Sequence, residues 1–245
     1  MEGGQQDKLR IGVIIQARMQ STRMPGKVLM SLPFPNGRPV LSRIVESLVK
    51  VEKIDKIIVA TSIEKENDPI EEFCIKNGIA VYRGDELDVQ SRFIHLIEEY
   101  GFDHVIRLTG DNPIIDCKYL EIAISSHLKS NSDYTKTTGL PLGTNFELIK
   151  SGVLSCRSKE NRSQEEKEHV TYHFAKSDDF SRNIIQFSTD ISDLRLTIDY
   201  PQDYAMLSII FQSDIGAITL ENIQRIITQF PWIKEINSKM IQKKF

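Results

Sequence analysis

Short runs of β-branched and other apolar residues alternate with helix-length segments over the first ~110 residues, and this alternation constrains the fold more than any other feature. The apolar runs are 11–17, 56–61, 79–83 and 104–109. Between them lie segments with helix signals. One opens on Pro39 and continues to about Lys50, proline suiting a first helical position. A second begins at Asp68-Pro69-Ile70-Glu71, with Asp at the cap, Pro next and Glu three residues on, and stops at Asn77-Gly78. A third, 89–100, ends at Gly101. Tight turns join antiparallel strands, whereas crossovers through helices lay strands parallel. The pattern predicts an α/β fold, a three-layer sandwich with a mostly parallel sheet and helices on both faces. Ligands of such sheets bind at the carboxyl ends of the strands, which directs attention to residues 16–27, 61–68, 83–88 and 109–116.

The rhythm loosens after about residue 131. Residues 134–142 read as strand and turn, 165–176 as a helix, and 183–188 and 194–198 as strands. Helices are expected at 201–211 and 220–230, and the mixed-charge run 158–168 as a solvated loop or helix start. The 245 residues are expected to form a single domain, 1–245, with an irregular insertion at 131–192. Lys and Arg number 31 against 34 Asp and Glu, a net charge of −3 that argues against a general nucleic-acid binder. The longest apolar stretch, around residues 11–15, is far short of a membrane span, and the polar first ten residues lack a signal-peptide core. Cys74, Cys117 and Cys156 are scattered and odd in number, so neither a disulfide framework nor a zinc knuckle is expected. The expectation is a soluble cytoplasmic protein without membrane insertion.

Missing motifs narrow the chemistry. There is no G-x-G-x-x-G turn, no Walker loop ahead of Gly26-Lys27, no G-x-S-x-G elbow and no H-E-x-x-H helix. Nor is there a D-x-D tripeptide, the usual metal motif of nucleotide-sugar glycosyltransferases. What the chain does have is a loop after its first strand, Gln16-Ala17-Arg18-Met19-Gln20-Ser21-Thr22-Arg23-Met24-Pro25-Gly26-Lys27. Arg18, Arg23 and Lys27 occur there without any acidic residue, and Ser21, Thr22 and backbone N–H groups add neutral donors. That composition suits a polyphosphate, since Arg binds phosphate oxygens bidentately and Lys supplies a point charge. Charge spacing alone equally describes a solvated basic loop.

Two aspartates stand where apolar runs give way to turns: Asp111 beyond 104–109, and Asp199 beyond 194–198. They are 88 positions apart and can share one cation only if those runs are neighbours; otherwise each serves as a cap. His169 and His173, four apart with Glu165 nearby, form a candidate metal pair if they share a helix face, although packing or surface roles are commoner for such histidines.

The opening I-I-Q-A-R-M-Q-S-T-R-M-P-G-K-V-L closely resembles that of the SpsF-like spore-coat polysaccharide cytidylyltransferases, and more distantly the CMP-sialic acid and CMP-KDO synthetases. The resemblance extends through Ile57-Ile58-Val59-Ala60-Thr61-Ser62, Tyr82-Arg83-Gly84-Asp85, residues 107–116, Glu168-His169-Val170-Thr171 and residues 195–201. It implies a glycosyltransferase-A-like architecture and transfer of CMP from CTP to a sugar acid or related surface-polysaccharide precursor, with release of pyrophosphate. Asp111 and Asp199 match the family's Mg²⁺ ligands. Arg18, Lys27 and Asp111 would be catalytic, with Arg18 and Lys27 offsetting charge on the departing pyrophosphate. Gln16, Ala17, Arg18, Ser21, Thr22, Arg23, Lys27, Arg83, Asp88, Ser91, Arg92 and Asp111 would bind nucleotide. Asn145, Glu147 and His169 would lie near the acceptor, and the 131–192 segment would support a homodimer. The segment Pro141-Leu142-Gly143-Thr144-Asn145-Phe146-Glu147 departs from the family's P-D-G-x-D-V-E pattern. Leu142 and Asn145 replace acidic residues there, so acceptor identity does not carry over and altered or lost activity stays open. A glycosyltransferase is the other enzymatic reading.

Overall fold

The computed structural model describes residues 8–156, 162–213 and 216–242. Its main sheet has seven strands in the order β5-β4-β1-β6-β8-β7-β9. These are β1 (Ile11–Gln16), β4 (Lys56–Ser62), β5 (Ala80–Gly84), β6 (His104–Thr109), β7 (Tyr134–Thr138), β8 (Glu147–Lys150) and β9 (Arg182–Gln186). A small hairpin pairs β2 (Ser31–Leu32) with β3 (Arg38–Pro39). Only β8 runs against its neighbours, β6 and β7; the other pairings in the sheet are parallel. The sheet is therefore the mostly parallel one expected.

Helices cover both faces. Val13 and Ile15 point toward a core shared with α1 (Val40–Leu48), α2 (Asp68–Lys76), α4 (Cys117–Ser130), α8 (Pro201–Gln212) and α9 (Leu220–Gln229). Ile14, between them, faces α3 (Val89–Tyr100), α5 (Ser151–Cys156) and α7 (Tyr172–Lys176). Successive residues of a strand face opposite sides, and with both sides covered the strand is apolar throughout. Gln16 lies level with Ala60 of β4 and Thr109 of β6. The chain leaves β1 toward β4 on one side and β6 on the other, so the loops after β1 and β6 open side by side where strand order reverses.

Several expectations need correction. The run 194–198 is buried but is not a sheet strand; it forms one isolated bridge, Leu142 to Arg195. Its backbone is satisfied by loops: Leu196 N–H donates to Leu142 O at 2.8 Å and Ile198 N–H to Asp111 O at 2.9 Å. The expected helix 165–176 is two short ones, α6 (Gln164–Glu168) and α7, because the chain leaves helical geometry at His169 (φ −109°, ψ 87°). Buried Val170 and Thr171 occupy the break. Asp68 does not cap α2. It is the first helical residue, and its carboxylate pairs with Arg83 at 2.7 Å. The capping position belongs to Asn67, whose side chain is engaged elsewhere. Helices α4 and α5 and strand β8 were not foreseen: β8 and α5 are short, and α4 lacks a strong apolar stripe. Within the 131–192 segment β7, β8 and β9 pair into the main sheet. Part of the charged run, residues 158–161, and most of the first ten residues lie outside the described residues. No described helix is long and apolar enough to cross a membrane.

Candidate active site

Beyond β1 the chain forms a closed loop. Ala17 N–H still bonds Ala60 O at 3.1 Å, and Gly26 N–H returns to Met19 O at 2.8 Å. Gly26 adopts φ 72°, a left-handed conformation that glycine reaches without steric cost. Asn67 anchors the loop from the side: its Oδ1 accepts Met19 N–H at 2.8 Å while its Nδ2 donates to Ser62 Oγ at 2.7 Å. The loop borders an open cavity of about 640 Å³ lined by Arg18, Met19, Gln20, Ser21, Thr22, Pro25 and Gly26. Arg18 is exposed and forms no ion pair or hydrogen bond with another described residue. A guanidinium held beside a concave surface in this way is available to an anion.

Lys27 behaves differently. It is 7% exposed, and its ammonium donates to Asp111 Oδ2 at 2.7 Å, Ile198 O at 2.6 Å and Asp199 Oδ1 at 3.1 Å. The two aspartates therefore do converge, joined by one lysine rather than by adjacent sheet strands. Arg23 Nη2 donates to Asp199 Oδ1 at 2.9 Å, and its guanidinium lies 4.6 Å from the centre of the Tyr200 ring. Burial opposes the Arg23 charge, but Tyr200 and Asp199 outweigh that cost and raise its pKa. Asp111 is oriented by Thr109, whose hydroxyl donates to Oδ1 at 2.6 Å and accepts from Asn112 Nδ2 at 2.8 Å.

Beneath Asp199 lies Asp203, fully buried. It accepts Arg195 Nε and Nη2 at 3.2 and 3.1 Å, Asn237 Nδ2 at 2.9 Å, and the backbone N–H groups of Asp199 and Tyr200 at 3.0 Å each. Sequence reading missed Asp203 and Asn237 as supports. The spacing Asp199-Tyr200-Pro201-Gln202-Asp203 was the available signal, an acid in the first turn of a proline-led helix.

On the other flank, Gln16 Oε1 accepts Arg107 Nε at 3.1 Å, and Arg107 Nη1 donates to Glu147 Oε2 at 2.7 Å. Glu147 also accepts the hydroxyls of Tyr134 and, at 3.1 Å, Thr171. Burial raises the Glu147 pKa, yet Arg107 and the Tyr134 hydrogen bond outweigh it and leave the pKa lowered. Glu147 is thus an ionised hub linking β8 to the α6–α7 junction rather than an open contact. Asn145 Nδ2 closes its own turn onto Leu140 O at 3.0 Å. His169 caps α6, while His173 pairs with Glu166 at 2.9 Å, so the two histidines share no helix face.

The remaining expected nucleotide contacts stand around the end of β5. Arg83 holds Glu71 and Asp68, each at 2.7 Å, and the Ser62 and Glu64 carbonyls at 2.9 Å. Asp88 caps α3 through Ser91 N–H at 2.9 Å and pairs with Arg162. Arg92, 4% exposed, donates to the Asp85 and Glu86 carbonyls. These groups shape the loops between β4, β5 and α3.

The donor set fits a small hard cation: two carboxylates on converging loops, tied through Arg23 and Lys27 to the loop that borders the cavity. Mg²⁺ characteristically takes one or two protein carboxylates and leaves its other positions to phosphate and water. No group of three or more His, Cys, Asp and Glu is placed to hold a metal among the described residues.

Residues 12–244 match the Cytidylyltransferase family. The chain is 36% identical over 206 residues to the spore coat polysaccharide biosynthesis protein SpsF of Bacillus subtilis, covering 81% of this chain and 85% of SpsF. This protein belongs to the cytidylyltransferase family. The structure of a cytidylyltransferase from Leptospira borgpetersenii superposes with a TM-score of 0.83 at 28% identity, over 96% of this chain and all of that one. CMP:2-keto-3-deoxy-manno-octonic acid synthetase, solved with CTP, shares the fold at a TM-score of 0.61 and 14% identity, over 82% of this chain and 98% of that one. Family membership implies a nucleotidyltransferase built on this α/β sheet.

Proposed function

We propose that this cytidylyltransferase moves CMP from CTP to a hydroxyl of a sugar acid or related surface-polysaccharide precursor, in the cytoplasm and with Mg²⁺. The convergence of Asp111 and Asp199 beneath the Arg18–Gly26 loop carries this reading. The acceptor oxygen forms a bond to the α-phosphorus as the bond from that phosphorus to the bridging oxygen breaks. Pyrophosphate departs and the hydroxyl proton passes to solvent. No covalent enzyme intermediate is required, so alignment and electrostatics supply the acceleration. Asp111 and Asp199 would hold the cation, which when bound neutralises and orients phosphate oxygens. Arg18, Ser21 and Thr22 face the cavity where the terminal phosphates fit. Gly26 and Asn67 keep that loop in shape, and the Gln16–Arg107–Glu147 chain ties it to the acceptor flank. Release of pyrophosphate leaves Arg18 exposed again, ready for another triphosphate.

A homodimer through the 131–192 segment belongs to the same proposal. It is supported by β9 lying at the sheet edge with Ile184 54% exposed, and sedimentation of the protein at several concentrations tests it.

The deciding experiment measures pyrophosphate release from each of the four nucleoside triphosphates with Mg²⁺ and a panel of nonulosonic acids, octulosonic acids and simple sugars. Release is expected with CTP and one acceptor class, and is expected to disappear in Asp111→Asn. Arg18→Ala should lower turnover by about a hundredfold while leaving the thermal transition unchanged. Transfer from a nucleotide sugar instead, or no binding of CTP, would overturn the proposal.

A further inference from the structure

Six charged side chains meet beneath the loop of residues 17–27, and their charges cancel: Asp111, Asp199 and Asp203 against Lys27, Arg23 and Arg195. Each carboxylate oxygen of the two site aspartates faces a donor or a cation. Asp111 Oδ2 accepts Lys27 at 2.7 Å and Oδ1 accepts Thr109 at 2.6 Å. Asp199 Oδ1 accepts Arg23 at 2.9 Å and Lys27 at 3.1 Å, while Oδ2 lies 3.6 Å from Arg195 Nη2. Lys27 and Asp199 are each 7% exposed, so these pairs are little screened by water.

A divalent cation arriving alone meets no surplus negative charge and must displace an ammonium or guanidinium from a partly desolvated carboxylate. A cation arriving on a nucleoside triphosphate brings excess negative charge with it. The phosphates then offer Arg23 and Lys27 new partners, and the aspartate oxygens become free. Resting on the function proposed above, we infer that Asp111 and Asp199 accept a divalent cation only together with the triphosphate, because Lys27 and Arg23 act as built-in counter-ions that occupy the seat until then. This order protects the site from free metal and couples metal capture to nucleotide capture.

Mn²⁺ binding to the full chain, followed by electron paramagnetic resonance and water proton relaxation, tests this without reference to turnover. Wild type with Mn²⁺ alone should show no site sensitive to Asp111→Asn, and adding CTP should create one. Lys27→Met should produce a nucleotide-free Mn²⁺ site at least about tenfold tighter than in wild type, since removing one nearby positive charge in a partly desolvated site favours a second cation strongly. That site should vanish in Lys27→Met/Asp111→Asn. Should Lys27→Met fail to fold, Arg23→Gln, nearer the surface, should shift nucleotide-free affinity in the same direction. A wild-type site for Mn²⁺ alone as tight as that with CTP, or variants that bind no tighter, would sink the ordering while leaving the cytidylyltransferase reading intact. No nucleotide-dependent Mn²⁺ site with any of the four triphosphates would overturn both.

Discussion

Asp203 supports Asp199 from below, and the local geometry of Asp199 depends on it. It gathers two N–H groups of Arg195, the Asn237 amide and two backbone N–H groups. Truncation to alanine leaves the Arg195 guanidinium, 7% exposed, without that partner. Removing one member of a buried pair costs about 3–5 kcal/mol, so urea unfolding of Asp203→Ala should show a loss of that order. A loss below about 0.5 kcal/mol, the scale of an ordinary surface substitution, would show that the network contributes little. Asp111 and Asp199 were legible because each sits where an apolar run ends and matches a family motif. Asp203 was not, because an acid three residues into a helix reads as a response to the helix dipole. Its actual partners come from residues 195 and 237, which only the fold assembles. Glu147 shows the same limit: its identity was read, but not the Arg107, Tyr134 and Thr171 that make it a hydrogen-bonded hub.

Elements divide by how they are stabilised. Helix α3 and strand β6 lie where the sequence predicts, at 89–100 and 104–109, because their own side chains carry the signal: a capping Asp88, a glycine stop and a β-branched core strand. The run 194–198 misled because burial produces the same apolar stretch whether or not a neighbouring strand pairs with it. It is held instead by the 140–145 turn, where Gly143 has φ 94° and a Cβ would come within 2.9 Å of Thr197 N. Gly143→Ala should therefore cost roughly 2 kcal/mol or more, combining left-handed strain with displacement of packed backbone. Gly26→Ala provides the contrast. Its φ of 72° carries the strain, but the nearest atom to a new Cβ is Met19 Cε at 3.6 Å, an ordinary contact. That substitution should cost only about 1 kcal/mol. Chemical denaturation of both variants checks the order, and equal costs would remove the crowding argument at Gly143.

Across the whole molecule, the sheet buries a polar relay far from the cavity. His104 of β6 and His127 of α4 approach to 3.0 Å through Nδ1 and Nε2, and His127 Nδ1 lies 2.7 Å from the Thr135 hydroxyl of β7. Burial, reinforced by the neighbouring His104, pushes the His127 pKa down to about 4, against 6.5 for a free imidazole. Burial lowers His104 as well. The folded chain then binds fewer protons than the unfolded chain between those values. Stability from this group is complete above pH 6.5 and is lost as pH falls toward 4, with no further loss below. The change amounts to about 3 kcal/mol, and urea midpoints measured across that range should show it. His127→Gln should flatten the dependence, and an unchanged slope in that variant would assign it to other groups.

The sequence by itself determined the layer order, the parallel core of the sheet, the basic loop after the first strand and the two aspartates beyond apolar runs. Each is written in local periodicity, capping residues or contiguous motifs, whose physics acts over a few neighbouring positions. The tertiary structure alone decided that Lys27 joins Asp111 to Asp199, that Asp203 and Asn237 support them, and that β8 enters the sheet reversed. It also engaged Arg83 with Glu71 and Asp68 while leaving Arg18 exposed to the cavity. Those outcomes depend on contacts between groups up to 172 positions apart, such as Lys27 with Asp199. A charged side chain buried by folding must find its partner among whatever groups the packed backbone brings within about 3 Å, and no local pattern in the chain encodes that choice.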